Sequence, residues 1–277
     1  MEMLYTGSII IRHPGEALKW NCLMSKKEQK DIRERDEMEL KYIPSGDSAF
    51  IIKAGDEISE EVNLTVRKLL KRLEEEKISG VTDFIPSYNE LMVCYDPVLL
   101  DYKQLLDISK KCASDLSAMA LPAADVIHVP VLYGGEYGPD LDYVAEFNGL
   151  TGEEVIRIHC SVACLVYMLG FTPGFCYLGG MDKRIATPRQ ETPRFKIPAG
   201  SVGIAGEQTG IYPLESPGGW QLIGRTPLRL FNPDSKPEFL FHAGDYIRFY
   251  PVDRDEYERI AATVAAGTYQ VKRTPKD

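Results

Sequence analysis

Apolar positions along the chain change period several times, and the changes mark elements. AFIIKA (49–54) has the composition of a strand. In the following SEEVNLTVRKLLKRLEEEK, Val62, Val66, Leu69, Leu70 and Leu73 fall on one helical face. Acidic residues occupy the first turn after Ser59, where the helix dipole favours them. VTDFIP (81–86) and ELMVCY (90–95) read as strands joined by a Pro86-Ser87-Tyr88-Asn89 turn. DYKQLLDISKKCASDL gives a second amphipathic helix, and DVIHVPVLY (125–133) another strand. The order β-α-β-β-α-β predicts a ferredoxin-like domain over 44–133.

The pattern then breaks at the Gly-rich loop 133–139. DLDYVAEFNG and TGEEVIRIHC predict two short helices, the second with Thr151 and Glu154 spaced as a capping box. That helix carries His159 near its C-terminal end. From Val166 the chain turns to short apolar pieces separated by Gly and Pro, such as GSVGIAG, WQLIGRTPLRLF and DYIRFY. Many short strands with frequent turn residues predict a β-barrel or sandwich over 134–270. EYERIAATVAAG adds a helix stopped by Gly267, and the polar tail 271–277 is expected to fray. The fold class is therefore α+β. Residues 1–43 stand apart: SKKEQKDIRERDEMELK mixes both signs of charge and reads as a solvated leader or a partner-binding arm.

Composition narrows the partners. The chain has 277 residues, 44% hydrophobic and 26% charged, which suits a globular protein. A net charge of −9 disfavours nucleic acid and anionic membranes. No apolar run reaches the ~18 residues of a membrane span, so no membrane partner and a cytoplasmic location are expected. The six cysteines (Cys22, Cys94, Cys112, Cys160, Cys164 and Cys176) include no CxxC pair and read as reduced, mostly buried thiols.

GSVGIAGEQTGIYPLESPGGWQLIGRTPL (200–228) concentrates the candidate chemistry. Its glycines resemble a phosphate loop, but no Gly-Lys-Ser/Thr follows, so turns of a barrel explain them better. His159, Cys160, Cys164 and Cys176 match no zinc spacing, and no metal is expected. Ser216 precedes a proline and forms no nucleophile elbow. Arg189, Arg194 and Arg225, held by neighbouring prolines, suit either a carboxylate or phosphate clamp or surface salt bridges. Gln208 and Gln221 each offer a donor and an acceptor, for a lactam or urea edge or for buried backbone groups. Their crowding with His159, Tyr212 and Trp220 favours a site.

The run GFTPGFCYLGGMDKRIATPRQETPRFKIPAGSVGIAGEQTGIYPLESPGGWQLIGRTPLRLF closely resembles the KipI / allophanate-hydrolase-subunit-1 family, and IPSGDSAFIIKAG and HCSVACLVYMLGF resemble its earlier segments. The likeness spans about 44–250. Bacterial members include the PxpB component of the ATP-dependent 5-oxoprolinase. The resemblance implies a ferredoxin-like domain followed by a cyclophilin-like β-barrel. It also implies a KipA-like (PxpC-like) partner and a LamB/YcsF-like (PxpA-like) partner, which together open 5-oxo-L-proline to L-glutamate with ATP. ATP would act at the level of the complex, bound by or shared with the partners. Other readings are a KipI-type inhibitor that binds a sensor histidine kinase, or a subunit of a urea or allophanate enzyme. Cys160 departs from the family's serine, and residues 1–43 lie outside the pattern.

Within that resemblance, Arg225 with Arg189 or Arg194 would hold anionic groups, and Gln208 and Gln221 would read the lactam. Tyr212 and Trp220 would line the site. His159 would serve as acid or base, since an unperturbed imidazole titrates near ~6.5. The backbone at Gly218 and Gly219 would offer N–H donors to an oxyanion.

Overall fold

The computed structural model describes residues 40–114, 116 and 119–276; the leader up to residue 39, with Cys22, lies outside the described residues. The first layer is a four-stranded antiparallel sheet under two helices. Its strands are β1 (Lys41–Pro44), β2 (Ala49–Lys53), β3 (Val81–Pro86) and β4 (Glu90–Tyr95), in the order β1-β2-β4-β3. Helices α1 (Glu60–Glu76) and α2 (Tyr102–Ala113) cover one face. β2 and β4 bury every second residue, Phe50 and Ile52 on one and Leu91 and Val93 on the other, and α1 buries Val66, Leu69 and Leu73. Ser59 caps α1 by accepting from the Val62 N–H at 3.2 Å.

The strand expected to close this sheet does not join it. The free edge of β2 is taken by β1, which arrives through the short 45–48 turn in antiparallel register from Lys41↔Lys53 to Pro44↔Phe50. A local hairpin costs less loop-closure entropy than a return from α2 across the 114–124 segment. Residues 41–43 thus belong to the fold and not to a leader. β5 (Asp125–Tyr133) instead pairs in parallel with β13 (Tyr246–Pro251) in the larger sheet. Its nearly continuous apolar run suits a strand buried on both faces.

That larger sheet is a closed seven-stranded barrel. It runs β12 (Gln221–Arg225), β9 (Ser201–Ala205), β10 (Gln208–Ile211), β7 (Cys176–Gly179), β6 (Cys164–Leu169), β13, β5, and back to β12 through Gly224↔Tyr133 and Arg225↔Leu132. The tail does not fray: β14 (Arg273–Pro275) pairs with the start of β5, and Arg273 donates to the Leu240 carbonyl at 2.9 Å. Short β8 (Arg194–Ile197) and β11 (Ser216–Gly218) form a separate ribbon. Helices α3 (Leu141–Phe147), α4 (Gly152–Ser161) and α5 (Arg254–Ala265) complete the domain, with the Thr151/Glu154 capping box present. Together these elements give the α+β fold expected, a ferredoxin-like layer and a cyclophilin-like barrel.

The two layers meet through polar side chains as well as apolar ones. Asn63 on α1 is fully buried and donates from Nδ2 towards the carbonyls of Ser87, Tyr88 and Tyr167 at 3.4, 3.1 and 3.4 Å. Tyr246 of the barrel donates to Glu60 at 2.8 Å. Val126, Leu165, Tyr167 and Tyr246 form the buried apolar contact, with Tyr88 packed against it. Replacing Asn63 with leucine keeps the branched outline but adds bulk and removes the Nδ2 donor shared among these carbonyls. We expect a loss of about 1–3 kcal/mol in chemical denaturation; an unchanged midpoint would show that Asn63 does not join the layers.

Candidate functional site: an aromatic pocket under Arg189

One open pocket of about 130 Å³ gathers much of what the sequence singled out. Phe171, Phe175, Tyr177, Arg189, Tyr212, Pro217, Gly218, Gly219 and Trp220 line it. Its floor is a cluster of edge-to-face rings. Phe175 lies 5.0 Å from Tyr177, 5.4 Å from Tyr212 and 5.6 Å from Trp220, with interplanar angles of 62°, 79° and 90°. Such contacts oppose ring edges to ring faces and fix the rings in place. The Arg189 guanidinium stands 5.9 Å from the centre of the Trp220 ring, where the ring's negative face attracts it. Arg189 is exposed and has no ion pair among the described residues, so its donors face the pocket mouth and solvent.

Glycines make room for this cluster. A Cβ on Gly218 would sit 2.3 Å from the Tyr212 hydroxyl, and one on Gly210 would sit 2.9 Å from the Trp220 ring. The apparent phosphate loop is thus a tight β9–β10 hairpin, turning at Gly206-Glu207, against which aromatic rings pack. It contains no helix start and no lysine, and so lacks the parts of a nucleotide phosphate cradle. Burial raises the Tyr212 hydroxyl to about 12, partly offset by a hydrogen bond from the Trp220 backbone.

The other expected residues lie elsewhere, each for a visible reason. Arg194 donates to Asp140 at 2.7 Å and towards the Trp220 carbonyl at 3.4 Å, so it braces the wall behind the pocket. Gln221 is buried, donates to the Pro188 carbonyl at 2.9 Å and accepts from Gln190 at 3.4 Å; both ends of its amide hold the 188–190 segment. Gln208 donates to the Tyr88 hydroxyl and ties the barrel to the ferredoxin-like layer. Arg225 stacks over Tyr137 at 5.2 Å, away from the pocket-lining residues. A three-arginine clamp is therefore not formed.

His159 does not reach the pocket either. It is 1% exposed and stacked 4.4 Å from Phe249 inside the barrel. Its Nε2 lies 2.8 Å from the Thr209 hydroxyl, which donates to the Gly203 carbonyl at 3.0 Å. Thr209 therefore accepts from Nε2–H, and Nδ1 accepts from the Tyr133 hydroxyl at 2.7 Å. Both ring nitrogens are satisfied in the neutral form. Desolvation drives the imidazole down to about 3, so it stays uncharged at neutral pH. Tyr133 and Thr209 thus hold His159 as a buried imidazole away from the pocket lining. Burial likewise raises Cys164 and Cys176 to about 12, leaving them inert thiols.

Sequence reading missed Phe171, Phe175, Tyr177 and Asp140. Phe175 and Tyr177 alternate along the entry to β7 and so share a face, a period-two signal available in GFCYLGG. Asp140, 8% exposed, accepts from the Leu222 N–H at 2.6 Å and from Arg194. Nothing local in the sequence marks it.

His159 should show a neutral Nε2–H ring by NMR from pH 8 down to pH 5; a titration near 6.5 would contradict this. Its depressed value means the unfolded chain binds a proton below about 6.5 that the native chain refuses until about 3. His159 therefore costs no stability above pH 6.5, and on the order of a few kcal/mol is lost as pH falls through that window. Gly218→Ala should displace Tyr212 and reshape the near-ultraviolet circular dichroism of the aromatic cluster; an unchanged spectrum would mean that the wall yields freely.

Comparisons with known proteins match this architecture. The sequence profile of the "Carboxyltransferase domain, subdomain C and D" family covers residues 40–241. The chain is 48% identical over 223 residues to the 5-oxoprolinase B subunit of Bacillus subtilis, covering 76% of this chain and 92% of that protein. It is 40% identical over 211 residues to the Escherichia coli O157:H7 protein of the same name, covering 74% and 93%. The Kluyveromyces lactis urea carboxylase structure superposes on 86% of this chain and 24% of its own, with a TM-score of 0.70 at 20% identity, a likeness of fold. The chain belongs to the carboxyltransferase-domain subdomain C and D family, in the group of the 5-oxoprolinase B subunits.

Proposed function

We propose that the protein is the B subunit of a cytoplasmic ATP-dependent 5-oxoprolinase, which opens 5-oxo-L-proline to L-glutamate with KipA-like and LamB/YcsF-like partner subunits. The B-subunit relatives support the assignment of this chain within such a complex. The observation that carries the chemistry is the single cation over an aromatic pocket: Arg189 above Trp220, with Tyr212 and the Gly218-Gly219 edge beside it. A flat five-membered lactam suits the ring faces, and its carboxylate suits the guanidinium.

The same pocket explains why partners are needed. Its lining contains no carboxylate and no histidine, and the Tyr212 hydroxyl does not ionise near neutrality. ATP would supply activation of the amide carbonyl, and this chain's hairpin glycines lack the helix start and lysine of a phosphate cradle. The division of labour that follows gives this chain binding and orientation, with proton transfer and nucleotide chemistry on other chains. The isolated chain accordingly turns nothing over.

In the assembled enzyme, Arg189→Ala should raise KM for 5-oxoproline about 10- to 100-fold, the range for losing a charged hydrogen bond. Its stability should stay within about 0.5 kcal/mol of the parent, because the side chain is exposed. An unchanged KM would remove the pocket from the reaction. Arg225→Ala, outside the pocket, should leave KM near the parent value.

A further inference from the structure

The turn between β6 and β7 holds an aromatic residue where the backbone disfavours one. Phe171 has φ +65°, the left-handed region that side chains other than glycine and asparagine rarely adopt. The Thr172 N–H bonds back to the Gly170 carbonyl at 2.8 Å, closing a three-residue turn with Phe171 at its centre. A three-residue turn with positive φ is the strained kind. Glycine is the residue such a position selects on backbone grounds.

Packing does not repay the strain. Phe171 is 67% exposed, and its aromatic neighbour is Phe175, edge-on at 5.9 Å. A surface phenylalanine in a strained turn is thus destabilising on two counts: its backbone is strained and its ring faces water. What the position does achieve is placement. Phe171 is part of the lining of the pocket built on Phe175, Tyr177 and Trp220, the pocket that Arg189 also lines.

We propose that Phe171 is a ligand-contacting lip: when the small anionic ring compound occupies the pocket, the Phe171 ring lies against it and excludes water from the Arg189–carboxylate contact. This rests on the pocket being the ligand site proposed above. A guanidinium–carboxylate pair exposed to solvent is weak, whereas the same pair shielded on one side by an apolar ring is stronger. The strain in the turn is then held against ligand-binding strength, and the exposed face of Phe171 becomes buried on binding.

The test compares Phe171→Ala, Phe171→Gly and Phe171→Tyr with Arg189→Ala in the assembled enzyme, using 5-oxoproline as the probe and thermal unfolding of each full chain as a second readout. The Ala and Gly variants should raise KM about three- to tenfold, as expected for losing one aromatic contact, with the complex intact by size exclusion. Phe171→Tyr should keep the parent KM. Phe171→Gly should melt at or above the parent, by about 2 °C, because glycine relieves the turn. Weaker binding together with equal or greater stability is a pattern that a packing role does not produce. If Arg189→Ala raises KM while the Phe171 variants bind as the parent does, the lip is overturned and the pocket stands. If neither position affects KM, both fall. If Phe171→Ala dissociates the complex, the ring belongs to an interface with a partner and the proposal fails.

Discussion

The buried carboxylate of Asp140 holds together the parts on which the pocket depends. One oxygen takes the Leu222 N–H, and the other takes the Arg194 guanidinium. The Asp140 N–H in turn donates to the Leu222 carbonyl at 2.9 Å. The loop leaving β5, the first residues of β12 and the β8 ribbon are thereby fixed to one side chain. Trp220 immediately precedes β12, and its carbonyl also faces Arg194. A partly buried ion pair of this kind adds little net stability over an apolar replacement, yet removing Arg194 leaves the nearly buried Asp140 carboxylate short of a partner. It specifies position, and the position it specifies is the wall under Arg189.

From that wall the aromatic cluster follows by close packing. Phe175 touches Tyr177, Tyr212 and Trp220, while Tyr177 meets Tyr88 at 5.9 Å from the ferredoxin-like layer. The smaller layer therefore supports the pocket from behind, and the Gln208–Tyr88 hydrogen bond crosses the same boundary. This gives the split α+β architecture a functional reading: two layers brace one aromatic floor. The floor carries a cation, and its lining holds no carboxylate and no histidine.

What the sequence made legible was local. Helix α1 was readable from Val62, Val66, Leu69 and Leu73, and the Thr151/Glu154 box announced its helix. The destination of the 125–133 strand was not, because an apolar strand records burial and not its partner; the hairpin at 41–44 took the edge it was expected to fill. The Gly-rich run was correctly a set of close turns, and Tyr212, Gly218, Gly219, Trp220 and Arg189 do converge. His159, Gln221 and Arg194 lie outside the pocket lining for one reason. Their chemistry suits a ligand, and equally suits buried protein partners; Thr209, Pro188 and Asp140 supply those partners from 33 to 54 residues away. Only three-dimensional distance separates the two uses.

A ligand seated on the Trp220 ring beneath Arg189 must change the surroundings of that ring. The chain has two tryptophans, Trp20 and Trp220. Incorporating 5-fluorotryptophan, assigning Trp220 by Trp220→Phe, and titrating the assembled enzyme with 5-oxoproline reads the site by ¹⁹F NMR. The Trp220 resonance should move saturably, and should stop moving in Arg189→Ala at the same ligand concentration. Turnover of 5-oxoproline with a motionless Trp220 resonance would contradict this placement of the ligand.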